Sequence, residues 1–421
     1  MKLTQLKSNE VSLPKGAARF ASATRDGTYL PTLDGWRAVA ISLVICAHAS
    51  DSIKNALPPD EFNFIAEFLK HFGLVGVQIF FGLSGFLITT RLIADEGLRG
   101  KISLKSFYVR RAFRILPASL VFLFVIGLLA LGGILPISLG RWLSTLFFLA
   151  NYTPADGSWY LGHFWSLAVE EHFYFLWPLL FLSLATNSRR VNFAIGGVLL
   201  LALWRAVDFK FQLTGSSSAV FWGRTDIQAD SILCGVLIAL LYGDRTWKPR
   251  LQKFLAIPAV WPVLVILVFG IGALAASQVA GWKLHLALLT VKAIIIPLAI
   301  LGTLTCCTKV PGRILESAVL RWIGRISYSL YLWQQLFLVW NDVRIPGLSS
   351  IQSFPVNILL AFACATLSMT LIEKPLIAIG HRLANRLAPK PSSVESTVDS
   401  RQQVPGMTAI QAHQEAINRC S

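Results

Sequence analysis

Charge is scarce in this chain. Asp, Glu, Lys and Arg make up 14% of its 421 residues, and apolar residues make up 54%. Soluble domains carry about 25% charge, so a soluble chain of two or three domains is excluded in favour of one membrane domain. Cysteine is sparse as well. The six (Cys46, Cys234, Cys306, Cys307, Cys364, Cys420) show no paired spacing and no C-x-x-C, which excludes a disulfide framework and a zinc site. Residues 1–32 lack the short apolar core and small-residue cleavage site of a signal peptide. The first membrane helix is therefore expected to direct insertion. No internal repeat is visible.

What the chain has is long apolar runs. A spanning helix needs about 20 mostly apolar residues, and ten candidates lie near 35–53, 72–92, 115–135, 163–184, 191–207, 227–243, 254–275, 284–304, 326–342 and 354–378. Backbone groups in lipid must be satisfied within the segment, so helices are the expected form. The fold class is thus all-α, a polytopic transmembrane bundle of about ten spans. Trp142–Ala150 is apolar but too short to cross, and suits an interfacial or re-entrant piece. The domain reading is a 1–32 N-terminal segment, a 33–378 membrane domain and a 379–421 tail whose Ser, Gln, Pro and Val content predicts disorder.

An even number of spans puts both termini on one side. The loops on that side hold 27 Lys and Arg, the opposite loops 7. Basic loops stay in the cytoplasm, so both termini are expected there. This asymmetry also absorbs the formal net charge of +16, and nucleic-acid binding is not required.

Ionisable side chains inside spans cost roughly 2.5–3.5 kcal/mol each on insertion scales, which makes them functional candidates. Arg37 and His48 stand eleven residues apart on the first span. At 100° per residue they share a face, about 16 Å apart along the axis. Arg37 falls at the cytoplasmic surface, as a ligand contact or a snorkelling anchor. His48 falls near mid-membrane or beyond, as a base or a hydrogen-bonded core histidine. On the fourth span His163, Ser166, Glu170, Tyr174 and Trp177 form a polar and aromatic stripe at helical spacing. Glu170 is expected to face the interior and to orient His48, and Glu171 to lie on the apolar face. Trp165 and Tyr174 are candidate substrate contacts. The loop after the second span carries Arg110, Arg111 and Arg114. Arg111 and Arg114 share a face if helical, and guanidinium pairs grip phosphate in a bidentate fork. An anionic-lipid anchor is the alternative. Gly76, Gly82, Ser84 and Gly85 suit close helix packing. Asp226 and Asp230 either bind sugar hydroxyls or, for Asp226, cap a helix.

Taken together, these segments resemble acyltransferase family 3, membrane O-acyltransferases of bacterial surface glycans. The matching pieces are Leu33–His48 with its Arg-x10-His, Gly76–Thr89, Phe107–Pro117 with its Arg-x-x-Arg, Leu161–Pro178, Gly223–Gly235, Ile323–Trp333 and Ile372–Pro375. The resemblance implies a ten-helix enzyme of the bacterial inner membrane. It moves an acyl group, commonly acetyl, from cytosolic acyl-CoA to a hydroxyl of a glycan or lipid-linked sugar. By position, Arg37 and His48 match the family's essential pair, Arg111 and Arg114 its paired arginines, and Glu170 the glutamate after Trp-Ser-Leu. Gln78, His172, Gln228 and Gln334 depart from the family's usual residues. The extra hydrolase-like domain of some members is not expected.

The leading expectation is therefore acyl transfer. Acyl-CoA is a co-substrate rather than a resident cofactor, its phosphates held by Arg111, Arg114 and Arg37, and no metal takes part. His48 and Glu170 are the catalytic candidates, and direct transfer and a covalent acyl-enzyme are both compatible with the residues. The rival expectations are a transporter, which should show repeated halves, and a non-catalytic partner in glycan assembly.

Overall fold

The computed structural model describes residues 30–56, 69–70, 72–153, 159–214, 223–276, 282–305, 310–340 and 343–388. The long apolar runs fold as helices α1 (Pro31–Ala56), α2 (Gly73–Arg99) and α3 (Leu104–Leu131). A short α4 (Leu139–Leu146) precedes α5 (Phe164–Ser183), α6 (Asn187–Phe211) and α7 (Thr225–Gly243). Then come α8 (Trp247–Leu255), α9 (Val260–Ala276), α10 (Trp282–Thr305), α11 (Val310–Leu315) and α12 (Ala318–Phe337). The last long rod runs through α13 (Val356–Ser368), a π-helical turn (Met369–Glu373) and α14 (Lys374–Leu387). No strand occurs among the described residues, and the expected all-α class holds.

Six helices are long and apolar enough to cross a membrane, seven if the bent α8–α9 pair counts as one span. That pair bends by 82°. The bundle also wears an apolar belt. Phe124, Leu131, Leu199, Leu203, Ile266, Leu359 and Leu371 are more than half exposed, as lipid-facing side chains of such helices would be. The chain is an integral membrane protein. Helices α1, α5 and α12 are not among the six. They are the elements carrying Arg37 and His48, the Ser166–Tyr174 stripe, and Ser327–Gln335.

Glycines set the closest crossings. A Cβ on Gly85 of α2 would run into the carbonyl of Ile232 on α7, and one on Gly235 of α7 into the carbonyl of Gly82. The two glycines let α2 and α7 touch backbone to backbone. Gly324 does the same for α12 against Asp34 of α1.

One boundary differs from the sequence expectation. Arg110, Arg111 and Arg114 lie on a helix, because α3 begins at Leu104. Ser103 caps it, its Oγ accepting from the Ser106 N–H at 3.2 Å. A serine N-cap satisfies an orphan amide and starts the helix well before the apolar run does.

Candidate functional site

An interior cavity opens where α1, α2, α3, α5 and α12 converge, with about 830 Å³ of empty space, part of it continuous with the outside. Arg37 comes from α1, Ser84 from α2, Arg111 and Arg114 from α3, Glu170, Glu171 and Tyr174 from α5, and Ser327 and Tyr331 from α12. Phe80, Phe81, Leu87 and Ile88 supply an apolar wall opposite the charges. The structure therefore brings together Arg37, Arg111, Arg114, Glu170 and Tyr174, drawn from three separate helices, α1, α3 and α5.

The arginines are held individually. Arg37 Nε donates to Ser327 Oγ at 3.3 Å. The Arg111 guanidinium lies over the Tyr174 ring, 3.2 Å from its centroid, a cation–π stack. Its Nε has no hydrogen-bond partner among the described residues. Arg114 sits in the combined field of Arg37, Arg111 and Glu373. Three guanidinium groups at one cavity repel one another unless an anion joins them. Arg110 turns away, donating to Ser106 Oγ at 2.6 Å and facing Asp95 at 3.7 Å.

Glu170 anchors a compact triad. Ser84 Oγ donates to its Oε1 at 2.9 Å, Tyr174 Oη donates to its Oε2 at 2.8 Å, and Ser84 and Tyr174 oxygens lie 2.6 Å apart. Through Tyr174 the carboxylate is tied to the ring that carries Arg111. Glu171 was expected on the apolar face, yet it lines the same cavity. Adjacent helical residues differ by only 100°, and the cavity is wide enough to receive both.

His48 is not among the residues that line this cavity. Its Nδ1 is 2.8 Å from Gln334 Oε1, and its ring stands edge-on to Trp159 at 5.0 Å. Glu170 was expected to orient it. Instead the two side chains have separate partners, because α1 packs mainly on α12 and α2 while α5 packs on α7 and α2. Tyr331 connects the two regions. It lines the cavity, meets Ser166 Oγ at 2.6 Å, and is one turn from Gln334 on α12.

The remaining candidates stand elsewhere. Asp230 is buried in an ion pair with Arg205 of α6 at 2.8 Å. Asp226 accepts from Trp204 Nε1 at 2.6 Å and from Arg224 Nη2 at 2.6 Å. Trp165 meets Phe81 edge-on at 6.1 Å. None of these three lines the cavity. Among the described residues no group of three His, Cys, Asp or Glu side chains could hold a metal ion.

Sequence reasoning passed over Glu373. It is 3% exposed, accepts a hydrogen bond from Ser329 Oγ, and acts electrostatically on both Arg37 and Arg114. The signal was present, a lone carboxylate inside an otherwise apolar run. Its aim was not legible, because the π turn resets the helical phase just there.

The profile of one protein family, an acyltransferase domain known as acyltransferase family 3, matches residues 30–374. The chain is similar to the O-acetyltransferase OatA of Staphylococcus aureus (strain MRSA252), 29% identical over 391 residues, covering 88% of this chain and 61% of that protein. It is also similar to the peptidoglycan O-acetyltransferase OatA of Listeria monocytogenes, 28% identical over 374 residues, covering 83% of this chain and 56% of the other. The chain thus spans about three-fifths of the length of the curated relatives it matches. No solved structure matches it.

Proposed function

Because the chain belongs to acyltransferase family 3, we propose that it transfers an acetyl group from acetyl-CoA to a hydroxyl of a bacterial cell-envelope glycan, working in the inner membrane. The observation that carries this reading is the convergence of Arg37, Arg111 and Arg114 on one cavity walled by apolar side chains. Acetyl-CoA matches such a cavity in its parts. Its phosphates suit guanidinium forks, and its pantetheine arm suits a half-apolar passage.

In this reading the donor enters from the cytoplasmic side, where the basic loops favour ten spans with both termini inside. Glu170 holds Ser84 and Tyr174, and so holds the ring under Arg111. Glu373 offsets part of the arginine charge. His48 takes the acceptor hydroxyl proton as that oxygen attacks the thioester carbonyl. The C–O bond forms, the C–S bond breaks, and the departing thiolate of CoA takes up a proton. General-base help of this kind contributes about 10²–10⁴-fold. Peptidoglycan, for which the Listeria relative is named, is the first acceptor to examine.

The test is mass spectrometry of envelope glycan from cells with wild-type protein, His48→Ala, or none. Acetyl on the glycan should depend on the wild-type chain. A His48→Ala strain with undiminished acetylation would overturn the role of the base.

A further inference from the structure

His48 can act as a base only through a ring nitrogen that bears a lone pair. Which nitrogen that is depends on where its one proton sits. A buried chain of amides decides the matter. Gln334 and Gln335 are 0% and 2% exposed. Gln335 Nε2 donates to the backbone carbonyl of Trp159 at 2.7 Å. Gln334 Nε2 lies 2.9 Å from Gln335 Oε1. Gln334 Oε1 lies 2.8 Å from His48 Nδ1.

The polarity of this chain is set at its far end. A carbonyl oxygen only accepts, so Gln335 must turn its NH2 to Trp159 and its oxygen to Gln334. Gln334 must then present its NH2 to Gln335, and also toward the Tyr331 carbonyl at 3.4 Å. Its oxygen is left facing His48. Flipping either amide would set acceptor against acceptor in a buried site, where an unpaired polar group costs about 1–3 kcal/mol. The imidazole nitrogen facing an obligate acceptor must carry the proton.

We infer that Gln334 and Gln335 are positioning residues that fix His48 as the Nδ1–H tautomer, leaving Nε2 as the nitrogen that accepts the acceptor-hydroxyl proton. This rests on the reading of His48 as the base. A neutral amide does the orienting, and the ring keeps its tautomer without a charged partner at Nδ1.

The experiment uses full-length protein in liposomes with nitrogen-15-labelled histidine. Solid-state NMR reads the His48 tautomer, its signal assigned by loss in His48→Gln, and acetyl transfer is measured alongside. Wild type and Gln334→Glu should both show Nδ1–H. Gln334→Leu should lose that preference and lower kcat by about 10- to 100-fold, the range that partners orienting metal-bound histidines contribute, with KM for acetyl-CoA nearly unchanged. Gln335→Leu, which leaves the His48 contact in place, should free the Gln334 amide to flip and give a mixture of tautomers. A wild-type signal dominated by Nε2–H would overturn the inference, as would a Gln334→Leu protein with full kcat. If His48→Gln still transfers acetyl while wild type shows Nδ1–H, the base reading fails and the tautomer assignment stands.

Discussion

At the scale of the residue, the proposed function gives the three cavity arginines the task of holding the donor's phosphates. Hydrogen bonds to charged groups are worth roughly 1.5–3 kcal/mol. Arg114→Ala is therefore expected to raise KM for acetyl-CoA about 10- to 100-fold while kcat falls less, which steady-state kinetics on proteoliposomes would read. Glu170→Gln should weaken the same step indirectly, because the Tyr174 ring under Arg111 loses its carboxylate partner. An unchanged KM in Glu170→Gln would remove the carboxylate from donor binding. Much of this was legible in the sequence. Helical spacing put Arg111 and Arg114 on one face, the basic-loop asymmetry put Arg37 at the same surface, and all three meet at the cavity. The partner of His48 was not legible. Gln334 lies 286 residues away, and only packing of α12 on α1 brings it into register. Periodicity within one helix tells which side a residue faces, not what waits there. Asp226 and Asp230 show the same limit, since their four-residue spacing suited a sugar site while α6 supplies partners for both.

At the scale of the element, packing rests on a few obligatory contacts. The α2–α7 crossing has no room for a methyl at Gly85 or Gly235. Overpacking typically costs about 1–3 kcal/mol, so Gly85→Ala should lower the thermal midpoint in detergent. An unchanged midpoint would mean the two backbones are not in contact. The Arg205–Asp230 pair ties α6 to α7 and, through Thr290, to α10. Removing one partner of a buried pair costs about 3–5 kcal/mol, whereas replacing both with apolar groups is often neutral. Asp230→Ala should therefore be markedly less stable than the Arg205→Met, Asp230→Leu double variant, by thermal unfolding of the same preparations. The π turn is a third such feature. The Lys374 N–H reaches the Met369 carbonyl, five residues back. That single extra residue turns everything after it by about 100°, and Glu373 reaches the arginines from a helix whose other faces look outward. Helix existence was legible here from the apolar run; the phase shift was not, because no residue type marks a π turn.

At the scale of the whole molecule, apolar and polar helices share the interior, and the apolar windows of α2, α7 and α10 are each 67% buried. The hydrophobic runs suggested ten spans, while six or seven helices qualify by length and composition, and α1, α5 and α12 are too polar to be among them. The basic-loop asymmetry predicts that a cysteine at Lys101 is labelled only from the cytoplasmic face and one at Gly347 only from the opposite face. Thiol labelling of sealed vesicles of both orientations, in a cysteine-free background, would check this. Labelling of both from one face would refute the ten-span arrangement. The wiring of α1 to α12 also has a consequence in time. Arg37 enters the membrane on the first helix, and Ser327, its hydrogen-bond partner, lies 290 residues downstream. At about 5–20 residues per second of synthesis, α1 waits roughly 15–60 s for the helix that completes it. During that interval its arginine and histidine must be tolerated by the insertion machinery or by lipid headgroups. A nascent chain stalled before α12 would leave α1 without its most extensive partner, and open to membrane proteolysis.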